Sequence, residues 1–415
     1  MKWVVPVFVV VITVLTFGGV LEDYVKTPYD VKWFIVQEET LEDGSLYCVL
    51  SVETQKWKGI TWVNRVGITI PSNLEIKDYV ILLITGGFES KEDQVDIAKA
   101  FKAPFVVVGD IPNQPLFGLK EDDLIAYTFS KYEETGEKDW PLLLPMVKSV
   151  VECFNVVQEF LKNKGLDIKG YVPTGASKRG WTTWLVSVVD PRVIGIIPIV
   201  FDNLNFQAQM KHQLEMWGDF SYKIGPYTER GFPQKVIKGE GKDLIEIVDP
   251  YSYLPKLTVP KLIVIATNDR YWPIDAATLY FYDLPRKNYL LYVPNERHSI
   301  KNVSYVVNTA SAFFRSIVED GDFVDISWKF EDDGRRLIVS CEEAKNAYVW
   351  IARSKTTDFR DSIWLKFPMK RRNGHYEYTI NISDDTNVCY FGEVVLERYG
   401  IEFSLSTIVK VLKEN

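Results

Sequence analysis

The chain has 415 residues, which suits one large α/β domain plus a smaller module and is too long for a single small domain. Hydrophobic residues make up 47% and charged residues 25%, which excludes a disordered chain. The formal net charge of -8 argues against a nucleic-acid partner, because phosphate binding needs a basic face.

At the start, Lys2 precedes an apolar run from Trp3 to Phe17 that exits into Gly18 and Gly19. A basic start, an apolar core and a small-residue exit form a secretory signal pattern, with Thr16 and Gly18 where a signal peptidase inspects the chain. The rival reading is an uncleaved anchor that would associate the protein with a membrane. The run falls short of the roughly 20 residues needed to span hydrocarbon, which favours cleavage. Either way, residues 1–20 predict export: a working domain that is secreted, periplasmic or anchored outside the cytoplasm.

Next, "SLYCVLSVETQKW" and "WVNRVGITIPSN" read as antiparallel lead-in strands. The texture then changes. "YVILLITGGF", "APFVVVGDIP", "VIGIIPIVFD", "KLIVIATNDR" and "YLLYVPNERH" are nearly continuous apolar runs, the pattern of parallel strands buried on both faces. Helical stretches fall between them. Met146 to Leu161 carries Val147, Val150, Val151, Phe154, Val157 and Leu161 on one stripe, with Gly165 beyond its end. Strands alternating with helices predict a mainly parallel sheet covered on both faces. Residues 210–247 are too many for a simple crossover and predict a cap rich in aromatic residues, one that would set substrate choice. From Asp325 onward, short and evenly spaced strands predict a small β-sandwich-like module over 325–415, leaving 21–324 to the main domain.

Four cysteines, Cys48, Cys153, Cys341 and Cys389, lack metal-ligand spacing, and no cofactor or metal site is predicted. Cys341 and Cys389 share the β module, where export permits a disulfide; two free buried thiols are the alternative. Cys153 is expected in a helix core.

"YVPTGASKRGWTTW" carries the chemistry. Tyr171 to Thr174 reads as a strand, Gly175-Ala176-Ser177 as a turn, and Gly180 onward as a helix. A nucleophilic serine needs this strand–turn–helix context, with small neighbours that let strand and helix approach. The helix N-terminus then aims free N–H groups at the oxygen that becomes charged. The backbone N–H of Lys178 is expected to form half of an oxyanion hole. Its side chain is expected either to place an ammonium near that oxygen or to run into solvent. Gly86 and Gly87, after "YVILLIT", are candidates for the second oxyanion donor or for an ordinary strand-ending turn.

A serine nucleophile needs a base and an orienting acid. Of three histidines, His298 ends a predicted parallel strand, at the edge where such sheets carry their sites. His375 lies in a hairpin and His212 in the predicted cap. Asp269 ends the preceding strand, and Asp275 and Asp202 are its rivals. The order Ser177, Asp269, His298 is that of α/β-hydrolases. His212, Glu215 and Trp217 are candidates to line the cleft from the cap.

The segments "LEDYV", "ITGG", "PTGASKRGWTTWL", "VDPRVIGIIPIVFDNLN", "MKHQLEMWGDFS", "VDPYSYLPKLTVPKLIVIATNDRYWPIDAATLYFYDLP" and "YLLYVPNERHSI" together resemble the PhoPQ-activated pathogenicity-related family, a branch of the α/β-hydrolases. The likeness runs over nearly the whole chain beyond the leader. It implies an exported protein with Ser177, Asp269 and His298 as its triad, and it supplies no substrate. Two features depart from pattern. The hydrolase elbow is usually G-x-S-x-G, whereas here Arg179 stands two after the serine and the glycine is Gly180, a spacing similar to that of glucuronoyl esterases. Asn64-Arg65 stands where the family is expected to carry histidine. The expected partner is a small-molecule, peptide or carbohydrate-ester substrate. A hydrolase that retained its fold only to bind or signal is the alternative.

Overall fold

The computed structural model describes residues 19–285, 287–381 and 385–413. The predicted leader lies almost wholly outside them. Among the described residues no helix is long and apolar enough to cross a membrane.

The chain opens with α1 (Val20–Val25) and three antiparallel strands, β1 (Lys32–Thr40), β2 (Leu46–Trp57) and β3 (Ile60–Ile70). Then come β4 (Tyr79–Ile84), β5 (Phe105–Val108), β6 (Gly170–Ala176), β7 (Ile197–Ile199), β8 (Lys261–Ala266) and β9 (Asn288–Val293). These pair in parallel in the order β5-β4-β6-β7-β8-β9. The helices between them are α2 (Lys91–Phe101), α3 (Glu121–Thr135), α4 (Leu143–Asn163) and α5 (Lys178–Val189), followed by α6 (Phe206–Trp217), α7 (Gly225–Thr228), α8 (Phe232–Lys238) and α9 (Lys242–Val248), all four between β7 and β8. The helix α10 (Val303–Arg315) follows β9. This is an α/β-hydrolase-type sheet with an inserted helical cap.

The apolar runs form central strands because both faces are covered. Val80, Leu82 and Ile84 of β4 join one core, while Ile81 joins the other. The predicted stripe of α4 is buried except for Val151, and Cys153 is buried with it.

The β module holds a finding. Its strands are β10 (Ser327–Glu331), β11 (Arg336–Ser340), β12 (Asn346–Ser354), β13 (Leu365–Pro368), β14 (Lys370–Arg372), β15 (His375–Thr379), β16 (Asn387–Arg398), β17 (Ile401–Ser406) and β18 (Lys410–Leu412). Only β10, β11, β15 and β14 form a separate sheet. The others extend the main sheet, because β17 pairs with β9 at Ser406 and Leu290. The sandwich therefore shares one layer with the main domain. Leu337 and Val339 of the small sheet lie in one core cluster with Leu262 and Val264 of β8. All four cysteines are buried and free, so Cys341 and Cys389 do not pair.

Candidate active site

Ser177 lies between β6 and α5 at φ 57°, ψ -125°, a left-handed backbone that a non-glycine residue adopts only when its surroundings enforce it. Its N–H donates to the Ile199 carbonyl at 2.9 Å, and its own carbonyl accepts from Trp181 N at 3.0 Å. Gly175 and Gly180 make room. A Cβ on Gly175 would sit 2.7 Å from the Arg179 carbonyl oxygen, and one on Gly180 would sit 3.0 Å from both Gly175 O and Ile199 O. The helix begins at Lys178, two residues earlier than the glycine suggested. The Lys178 N–H thus belongs to the first turn of α5, whose N–H groups have no intrahelical acceptor.

His298 follows β9 and Asp269 follows β8, so both stand at the carboxyl ends of parallel strands beside the elbow. His298 Nδ1 lies 2.7 Å from Asp269 Oδ2, and Asp269 Oδ1 accepts from Tyr271 N at 2.9 Å. With Nδ1–H directed to the carboxylate, the lone pair resides on Nε2. That atom is buried without a hydrogen-bond partner. The Tyr271 ring packs on the imidazole, centroids 4.1 Å apart. Ser177 and His298 line one cavity. Asp269 stands behind His298.

The rival carboxylates have other tasks. Asp275 holds His212 Nε2 at 2.7 Å. Asp202 accepts from the Tyr280 hydroxyl at 2.6 Å, and burial, aided by the charges of Asp269 and Asp275, pushes it up to about 7.

Several expected site residues stand elsewhere. His212 and Trp217 do not line the cavity. On α6, Phe206 and Met210 do; His212 falls on another face, and Trp217 ends the helix about three turns from Phe206, under the Arg360 guanidinium at 4.0 Å. Glu215, exposed, lies 3.6 Å from His212. Gly86 and Gly87 are also off the cavity wall. A Cβ on Gly86 would run into the Arg179 guanidinium, and the Gly87 N–H turns to Thr85 Oγ1 at 3.4 Å.

The Lys178 side chain does line the cavity, yet it is buried in ion pairs, 2.8 Å from Glu121 and 3.5 Å from Asp122. It does not run into solvent. Arg179 is likewise buried, with two hydrogen bonds to Glu121 at 2.7 and 2.8 Å and one to the Ile111 carbonyl at 2.6 Å. Burial raises the Glu121 carboxyl, but Arg179 and Lys178 outweigh it and hold the group well below the usual carboxylate range. Asp122 also accepts from the Tyr227 and Tyr271 hydroxyls at 3.2 and 3.3 Å. Sequence reasoning missed Glu121, Asp122 and Asn203, a buried cavity residue whose Oδ1 has no partner. Acidic residues opening a helix are common, and nothing local ties them to a serine elbow 56 positions on.

The sheet order, the elbow and the Asp269–His298 pair at the strand ends define an α/β-hydrolase-fold protein. Residues 21–360 match the family described as PhoPQ-activated pathogenicity-related protein. Autocrine proliferation repressor protein A of Dictyostelium discoideum is 31% identical over 377 residues, covering 83% of this chain and 76% of that protein. The chain belongs to the PhoPQ-activated pathogenicity-related protein family. Among solved structures, an acetyl xylan esterase from Paenibacillus sp. R4 aligns with a TM-score of 0.48 and 12% identity, over 68% of this chain and 88% of that chain. The acylaminoacyl peptidase of Pyrococcus horikoshii aligns with a TM-score of 0.41 and 15% identity, over 69% and 50%. Both likenesses are too distant to bear on chemistry.

Proposed function

We propose that this protein is a serine hydrolase working outside the cytoplasm on an ester or amide, with Ser177 as nucleophile, His298 as general base and Asp269 as its orienting acid. The observation that carries this reading is the imidazole: Nδ1 is held by Asp269 at 2.7 Å, and the unpartnered Nε2 belongs to a residue lining the same cavity as Ser177. Nε2 takes the Ser177 proton as Oγ attacks the carbonyl carbon, then returns it to the leaving group. Asp269 stabilises the imidazolium formed in between. The Lys178 N–H, at the positive end of α5, meets the developing oxyanion. Export rests on the apolar run from Trp3 to Phe17 and its basic lead.

A fluorophosphonate probe tests the nucleophile. The purified protein is expected to be labelled at Ser177, and Ser177→Ala and His298→Ala to lose labelling, because an unactivated hydroxyl is a poor nucleophile. Undiminished labelling of Ser177→Ala would overturn the assignment. The relative's name, autocrine proliferation repressor, describes a signalling role for that protein and favours a second reading, a signalling protein on a retained hydrolase fold. A wild-type protein that no such probe labels would select that reading.

A further inference from the structure

Much of the cavity wall is made of aromatic rings. Trp181 stands one turn along the helix that Ser177 caps, and Phe201 stacks on it at 5.1 Å with 18° between planes. Phe206 meets Trp181 edge-on at 5.3 Å. Phe129 and Phe232, 5.3 Å apart, extend the wall. The Trp181 indole N–H is already given to the Val248 carbonyl at 2.6 Å, so the ring has no polar atom left for a ligand.

Charged groups on the same wall cancel one another. Lys178 and Asp122 line the cavity and pair with each other, and Glu121 and Arg179, which do not line it, complete a set of two cations against two carboxylates, each engaged. A charged acyl group would lose its water here and find no free counter-charge. Arg270, which could otherwise attract a uronic acid, is ion-paired with Asp361. Apart from His298 Nε2, the unpartnered buried polar atoms on residues lining the cavity are Asn203 Oδ1 and Trp272 Nε1, both of neutral groups. An apolar acyl group covers ring carbon and gains by leaving water.

We propose that the substrate carries a neutral, apolar acyl group, arylalkyl or branched aliphatic, seated on Trp181, Phe201 and Phe206. The inference rests on Ser177 as the nucleophile. Ser177 Oγ bonds to the acyl carbon while its proton passes to His298 Nε2. The bond to the leaving group breaks, and that group departs with the proton. Water then adds to the acyl carbon and gives one proton to Nε2. The acyl–Oγ bond breaks, Ser177 regains that proton, and the free acid leaves. Between the two halves the acyl group is held covalently on Ser177, and the helix that Ser177 caps supplies part of its wall through Trp181.

A series of p-nitrophenyl esters with one alcohol and different acids tests this. For wild type, kcat/KM on 3-phenylpropionate is expected to exceed that on hemisuccinate and on β-alanyl ester by at least about 30-fold. Phe201→Leu keeps an apolar side chain but removes the stacked ring, and is expected to shrink the ratio of 3-phenylpropionate to acetate by roughly threefold or more. Probe labelling at Ser177 is followed in parallel. Labelling with equal or reversed preference among the esters would overturn the acyl-group assignment and leave the hydrolase reading standing. Absence of labelling would overturn the hydrolase reading, and this inference with it.

Discussion

Ser177 is fixed by its own neighbourhood, whereas Asp269 and His298 are fixed from far along the chain. The elbow's contacts come from Gly175, Arg179, Gly180 and, at longer reach, Ile199 on the adjacent strand and Phe201 just beyond it. The loops that carry Asp269 and His298 first hold each other: Asn268 N donates to Glu296 O at 2.9 Å, and Asn295 N donates to Thr267 Oγ1 at 2.8 Å. A segment of the β module then clasps both. Asn268 Nδ2 donates to the Arg360 and Ser362 carbonyls at 3.2 and 2.7 Å, across 92 and 94 positions. Asn295 exchanges two hydrogen bonds with the Trp364 backbone at 3.0 and 2.8 Å, across 69 positions. Among the described residues the β module gives no side chain to the cavity, yet it braces the loops that carry Asp269 and His298. An elbow assembled locally and an Asp269–His298 pair assembled at long range should therefore fail differently.

The elbow should fail as a unit. Gly175→Val places a branched side chain where even a Cβ lies 2.7 Å from the Arg179 carbonyl, so β6 and α5 must separate. We expect destabilisation on the order of 2–4 kcal/mol and loss of fluorophosphonate labelling. A variant that melts and labels like wild type would show that the tight approach is not what holds Ser177. The brace should fail more gently. Removing it with Asn268→Ala and Asn295→Ala deletes hydrogen bonds worth about 1 kcal/mol each and lets the imidazole drift. Turnover on an ester should fall by about tenfold to a hundredfold, in kcat with little change in KM, because the cavity wall is untouched. Unchanged kcat in the double variant would reduce the clasp to simple fold support.

This contrast also explains what could be read from the sequence. Parallel strands announce themselves as apolar runs, and the site of such a sheet lies at their carboxyl ends, so the positions of Ser177, Asp269 and His298 followed from strand ends and the scarcity of histidine. The elbow was legible because its spacing rule acts within five residues. Strand β1 was not: Phe34, Ile35 and Val36 are consecutive and exposed, so "KWFIVQEET" lacks the alternation that marks a half-buried strand. The partners of Lys178 and Arg179 were hidden because Glu121 pairs with them across 57 and 58 positions, and no local pattern encodes that. The clasp was hidden for the same reason. His212 and Trp217 looked like cleft residues because a cap was foreseen, but which face of α6 turns inward depends on packing that composition does not state.

Lys178 gives the mildest and most discriminating test, since it belongs to both regions: its backbone to the elbow, its side chain to a long-range ion pair. If the ammonium itself held the tetrahedral oxygen, Lys178→Met would lower turnover by about a hundredfold to a thousandfold, as loss of one oxyanion donor does. The structure gives that ammonium to Glu121 and Asp122 at 2.8 and 3.5 Å, while the backbone N–H survives the substitution. We therefore expect less than about a tenfold change in kcat/KM on a neutral ester. The effect should appear in selectivity instead. Without Lys178 the wall keeps the Asp122 carboxylate, while Glu121 stays paired with Arg179 off the wall, so a cationic acyl ester should gain and an anionic one should lose, relative to the neutral ester. Measuring the three esters side by side separates the roles: a uniform hundredfold loss would place the ammonium on the reacting oxygen, and a change of rank with little loss would place it in the wall.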